Sequence, residues 1–110
     1  MNLLNELVEE ADICVKLLVR HSSPVDRDLA FHYSRVLDSL TKRIHIAVST
    51  LKSTARLEHA SSHFADLVKQ LEGLPLADEV SSLIEKIHSR QAAVEKMVAF
   101  YDSSLQHPAA

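Results

Sequence analysis

The stretch STLKSTARLEHASSHF, Ser49 to Phe64, decides how this chain folds. It contains no glycine or proline, and neither residue occurs anywhere between Val25 and Glu72. A single helix from Pro24 to Glu72 would run roughly 70 Å at ~1.5 Å per residue. The phase of the apolar side chains argues against such a rod. At about 100° per residue, Tyr33, Leu37, Leu40, Ile44 and Leu51 point one way, while Leu57, Ala60, Phe64, Leu67, Val68 and Leu71 point roughly 150° away. A straight helix would bury opposite sides at its two ends. A reversal within Lys52 to Ser62 folds both stripes onto one core, with Ser53, Thr54, Ser61 or Ser62 as candidate caps.

Outward from this joint the boundaries are clearer. Ser22-Ser23-Pro24 offers a capping serine and then proline in a first helical turn that also holds Asp26 and Asp28. Gly73 and Pro75 close the segment on the other side. Before Ser22, Leu3, Leu4, Leu7, Val8, Ala11, Val15 and Leu18 recur at helical spacing. After Pro75, so do Val80, Leu83, Ile84, Ile87, Val94, Met97, Val98, Tyr101 and Leu105. One glycine and three prolines in 110 residues are too few for the tight turns of a sheet protein. The fold class expected is all-α, an antiparallel up-down four-helix bundle with helices at about 2–21, 24–53, 58–72 and 76–105. Residues 1–106 form one domain and 107–110 a frayed tail.

A hydrophobic fraction of 46% and a charged fraction of 25% suit a folded soluble chain. The formal charge of −3 gives the whole molecule no attraction for nucleic acid or anionic lipid, and no apolar run approaches the ~20 residues of a membrane span. Cys14 is the only cysteine, which excludes an internal disulfide and a cysteine-rich zinc site. MNLLNELVEEAD lacks the basic start of an export signal, and Glu6, Glu9 and Glu10 interrupt it, so the expected location is cytoplasmic.

Two surfaces stand out. Around ICVKLLV (Ile13–Val19) the first helix is apolar almost all round, and Ile13, Leu17 and Val19 are candidates for self-association, a possible homodimer. On the second helix, Arg35, Asp38, Lys42, His45, Ser49, Lys52 and Arg56 form a line opposite the apolar stripe. Residues 24–57 carry six Lys/Arg against three Asp/Glu in an otherwise acidic chain. Arg35, Lys42, His45, Ser49, Lys52 and Arg56 are therefore the candidate contacts for another protein with an acidic surface.

Ser49-Thr50-Leu51-Lys52-Ser53-Thr54-Ala55, followed by Leu57, Ala60 and the Leu71-Glu72 pair, resembles part of a histidine phosphotransfer (HPt) domain. That signature reads roughly His-Thr-Leu-Lys-Gly-Ser-Ala, then a Leu-Gly-Ala turn and an amphipathic helix. The resemblance covers about residues 44–72 and implies a four-helix bundle that meets a receiver domain. Ser49 stands where the phosphoacceptor histidine belongs and Ser53 where the glycine belongs. What the resemblance implies is a pseudo-HPt adapter that binds without relaying phosphate, with His45 the only substitute acceptor on that line.

Other chemistry is thinly represented. His59 and His63 lie one helical turn apart with Asp66 on the same face, a candidate metal-ligating trio without an identifiable fourth ligand. Arg27 and His32 match the arginine-x4-histidine pattern of HEPN-type ribonucleases, but near the start of a helix and without a basic RNA face nearby; His32 is expected instead to edge the core beside Leu29 and Val36. No catalytic constellation and no cofactor motif is legible. The expectation is a non-enzymatic adapter, chaperone-like or inhibitory protein acting through protein–protein contacts.

Overall fold

The computed structural model describes residues 3–74 and 77–106, and these are almost wholly helical: α1 (Leu3–Arg20), α2 (Arg27–Leu51), α3 (Thr54–Leu71) and α4 (Ala77–Gln106). A single 3₁₀ turn, Pro24–Asp26, leads into α2. No strand occurs among the described residues. Pro75 and the 107–110 tail fall outside them.

The reversal inside Ser49–Phe64 is confirmed, and it is tight. Lys52 turns left-handed (φ 50, ψ 38), the conformation that ends helices but suits glycine better than lysine. Ser53 then caps α3 in an extended conformation, its hydroxyl accepting the Arg56 N–H at 3.4 Å. Helix three thus starts at Thr54, one turn earlier than the expected residue 58. Glu72 donates its N–H to the Val68 carbonyl at 2.9 Å, and Gly73 follows at φ +101. A Cβ at Gly73 would meet nothing within 4 Å, so the backbone angle, not space, calls for glycine there. Ser23 stands at the cap position before Pro24 but makes no side-chain cap bond, and the Ser22 hydroxyl donates back to the Val19 carbonyl at 2.9 Å.

Named contacts fix the directions. Leu3, Leu4 and Leu7 lie across from Ile46, Ala47 and Leu51, while Ile13, Cys14 and Leu17 lie across from His32, Tyr33 and Val36, so α1 and α2 are antiparallel. Leu71 lies by Val80 and Ile84 while Ser61 reaches Glu95, so α3 and α4 are antiparallel as well. Asp38 meets Arg90 and Ser49 meets Met97, which makes α2 and α4 parallel neighbours. The two hairpins are therefore stacked with α1 over α3 and α2 over α4, and among the described residues the backbones of α1 and α4 do not approach each other. The thinnest extent, 15 Å, is that of two helix layers ~10 Å apart.

The core follows the apolar stripes. Leu4, Leu7, Ala11, Val15 and Leu18 of α1 meet Leu37, Leu40, Ile44 and Val48 of α2. Leu57, Phe64, Leu67 and Leu71 of α3 meet Val80, Leu83, Ile87 and Val94 of α4. Each fully buried side chain of this size contributes ~1.5–3 kcal/mol of transfer free energy. Cys14 joins them, and burial pushes its thiol up to about 11. Three residues expected inward do not go there. Leu3, Leu29 and Leu51 sit at the margins of the stripes and stay exposed, because α1 and α2 bury only the side facing the other layer.

Candidate functional site

The second helix has two faces besides its core stripe, and each meets something different. Toward α4, Asp38 is half-buried. Arg90 donates from Nη1 to the Asp38 carboxylate at 2.6 Å, to the Asp38 carbonyl at 3.2 Å and to the Thr41 hydroxyl at 2.9 Å. Lys86 stands 3.7 Å from the other carboxylate oxygen. Thr41 is fully buried, and its hydroxyl also donates to the Asp38 carbonyl at 3.0 Å. This clip fastens α2 to α4 with charge-assisted bonds. A hollow of ≈ 510 Å³ beside it is lined by Phe31, Arg35, Asp38, Leu83 and Lys86, and the Arg35 guanidinium lies 5.5 Å from the Phe31 ring centre.

The basic line of helix two divides on this seam. Arg35 and Lys42 are exposed on α2 as expected, while Lys52 is exposed in the joint and Arg56, also exposed, belongs to α3, so the reversal takes it off the line expected for helix two. Ser49 and His45 are not on an open face, because one turn further along the same line reaches α4. The Ser49 hydroxyl donates to the His45 carbonyl at 2.7 Å and lies 3.6 Å from the Met97 sulfur. His45 is half-buried, and its pKa is lowered, first by burial and second by the nearby Arg90 charge. Lys42, Lys52 and Arg56 meet no carboxylate in an ion pair among the described residues.

The other candidates are scattered. His63 is buried (8% exposed) because it turns across to α1, where its Nε2 lies 2.8 Å from Asp12 Oδ1. Its Nδ1 has no hydrogen-bond partner. His59 and Asp66 stay exposed, so the trio of sequence analysis is not drawn together, and no group of three or more His, Cys, Asp or Glu gathers among the described residues. His32 is exposed rather than at the core edge, its ring 5.6 Å from that of Tyr33. Cys14 donates its Sγ–H to the Tyr33 carbonyl at 3.2 Å, and its raised pKa keeps it a thiol at neutral pH.

The face of the α1–α2 hairpin turned away from α3 and α4 carries an extended apolar feature. Two hollows run end to end along it, one of ≈ 450 Å³ and one of ≈ 390 Å³, and Arg43 lines both. Ile13 (60% exposed) and half-buried Leu17 line the first; Leu3, Ile46 (55% exposed) and Leu51 line the second. Val19, the third residue of the self-association group, is exposed but does not line the groove. Glu10 and Arg43 both border the first hollow, and neither is engaged in an ion pair among the described residues. Ile46 and Arg43 were missed from the sequence because they lie off the main stripe. The signal was Ile46 itself, an apolar residue that widens the apolar arc of helix two beyond what one buried layer uses.

No helix among the described residues is long and apolar enough to cross a membrane. Comparison with known proteins finds no matching family model, no matching curated protein and no matching solved structure.

Proposed function

We propose that this chain is a non-enzymatic helical adapter or regulator, cytoplasmic in location, that works through protein–protein contacts on the α1–α2 hairpin. The observation that carries this reading is the uncovered groove, which keeps Ile13, Leu17, Ile46 and Leu51 in reach of solvent along most of the hairpin. A small protein rarely leaves a contiguous apolar face of this length unused, because such faces associate. Nothing among the described side chains pairs a nucleophile with a base. The nearest approach, Asp12–His63, has its imidazole buried in packing rather than opening on a cavity.

The free cations Lys42 on α2, Lys52 in the joint and Arg56 at the start of α3 support a second contact, with an acidic protein surface. A receiver domain, which the HPt resemblance implies, is one such partner, and docking there would need no phosphate on Ser49. Proximity cross-linking in the native host tests both contacts, with the wild-type chain beside Ile13→Asp, Lys52→Glu and a control on α3, Lys69→Glu. Neighbours lost in Ile13→Asp or Lys52→Glu but kept in Lys69→Glu support the reading. An identical set of neighbours in all four chains overturns it.

A further inference from the structure

We infer that the occupant of the α1–α2 groove is the same groove of a second copy, with Glu10 of each protomer paired to Arg43 of the other; this rests on the reading of the groove as a contact surface given above. The argument is geometric. Glu10 on α1 and Arg43 on α2 flank the middle of the groove, with leucines and Ile46 toward one end and Ile13, Leu17 and Tyr33 toward the other. A two-fold axis parallel to the helices turns one hairpin face onto another, so that α1 lies antiparallel on the partner's α2. Heights along the groove are conserved by this operation. Leu3 of each protomer then meets Leu51 of the other, and each Glu10 comes over an Arg43.

A two-fold axis across the helices is the other way to bring the faces together. It would set Glu10 on Glu10 and Arg43 on Arg43, in low-dielectric surroundings where like charges are costly. The free carboxylate and free guanidinium therefore choose between the two axes. The same contact also supplies each with the partner it lacks in the monomer.

Size agrees with a second copy. Between His32 and Leu51 the groove is roughly 29 Å long at ~1.5 Å per residue and about 20 Å wide across two helices. Its footprint of roughly 600 Å², before side-chain relief is counted, approaches the ~800 Å² per partner of a standard interface. The product is a second four-helix layer, α1 and α2 from each copy, built with the same antiparallel pairing that each hairpin already uses.

Sedimentation equilibrium on the full chain tests the inference. The expected mass is twice 12.3 kDa, falling to one chain in Ile46→Asp while the circular dichroism spectrum stays helical. Glu10→Arg and Arg43→Glu, each alone, should weaken dimerisation at least tenfold, and an equimolar mixture of the two should restore it as a heterodimer visible by native mass spectrometry. The double variant Glu10→Arg/Arg43→Glu should dimerise like the wild type. The single variants separate the two axes, because the crosswise axis pairs like with like in the wild type and in each single variant alike and so predicts no tenfold loss. A wild-type monomer at about 100 μM, or a dimer untouched by Ile46→Asp and by Arg43→Glu, would sink the inference. If the wild type is monomeric and Ile13→Asp still loses a different neighbouring protein, the self-pairing falls while the groove remains a contact surface.

Discussion

The two sides of α2 show what a completed contact and an unfinished one look like in the same helix. Toward α4, the polar groups of the clip are answered: Asp38 by Arg90 and Lys86, Thr41 by Arg90, and the Ser49 hydroxyl by the His45 carbonyl. Toward the outer face, Ile46 and Ile13 stand in solvent, and Glu10 and Arg43 border one hollow without pairing. The first side spends its polar groups on holding the fold. The second holds chemistry in reserve for another molecule. Substitutions on the two sides should therefore differ in kind, one changing stability and the other changing association.

The largest effect on the fold is expected at the clip. Arg90→Ala strands the half-buried Asp38 carboxylate and the buried Thr41 hydroxyl, and loss of bonds to a charged group should cost about 2 kcal/mol. Urea unfolding measures it as a lower midpoint at unchanged slope. Self-association should persist. If Arg90→Ala unfolds at the wild-type midpoint, the seam is no stronger than an exposed ion pair, and the contrast between the two sides collapses.

The opposite signature is expected in the groove. A dimer's melting temperature rises with protein concentration by mass action, so the wild type should show that slope and Ile46→Asp should lose it. At concentrations low enough to give monomers, Ile46→Asp should match the wild type within ~0.5 kcal/mol, as exposed substitutions do. A large loss in the dilute monomer would mean that Ile46 serves the fold after all.

How much of this was legible follows from what a one-dimensional pattern can carry. The phase conflict between Leu51 and Leu57 placed the joint to within one turn, because an apolar stripe reports which side of a helix is buried. It could not report which helix does the burying. Asp38, His45 and Ser49 share one line with Lys42 and Lys52, and only the stacking of α2 on α4 divides the line into a seam and a free edge. Asp12–His63 was hidden for the same reason, since the partners are 51 residues apart and the His59–His63 spacing suggested a local pair instead.

The joint itself offers a smaller test between the two sides. Lys52 holds φ 50, a region costly for a side chain with a Cβ. Lys52→Gly relieves that strain but frees the unfolded chain, so the net gain should be on the order of 0.5 kcal/mol. It should also weaken any acidic partner held by the basic edge while leaving groove association unchanged. If glycine there lowers the melting temperature, the lysine side chain contributes more to the reversal than its backbone costs.

The smallest effect is expected at His45, where the seam meets the edge. Its folded pKa is lowered by burial and by Arg90, so the folded chain resists a proton that the unfolded chain accepts near 6.5. The sign follows directly. The stability tied to neutral His45 is fully present above about 6.5 and is lost as pH falls from there through the lowered folded value. The ring is only half-buried, so water screens the penalty and the loss should stay within a few tenths of a kcal/mol. Unfolding midpoints across that range, compared between the wild type and His45→Gln, isolate the effect, because glutamine keeps polarity and approximate size without titrating. The wild type should soften faster on acidification, and Arg90→Ala should reduce the difference by removing the cation that opposes the proton. Parallel curves for the wild type and His45→Gln would mean that the imidazole reaches water freely, and that the seam ends at Thr41 rather than extending to Ser49.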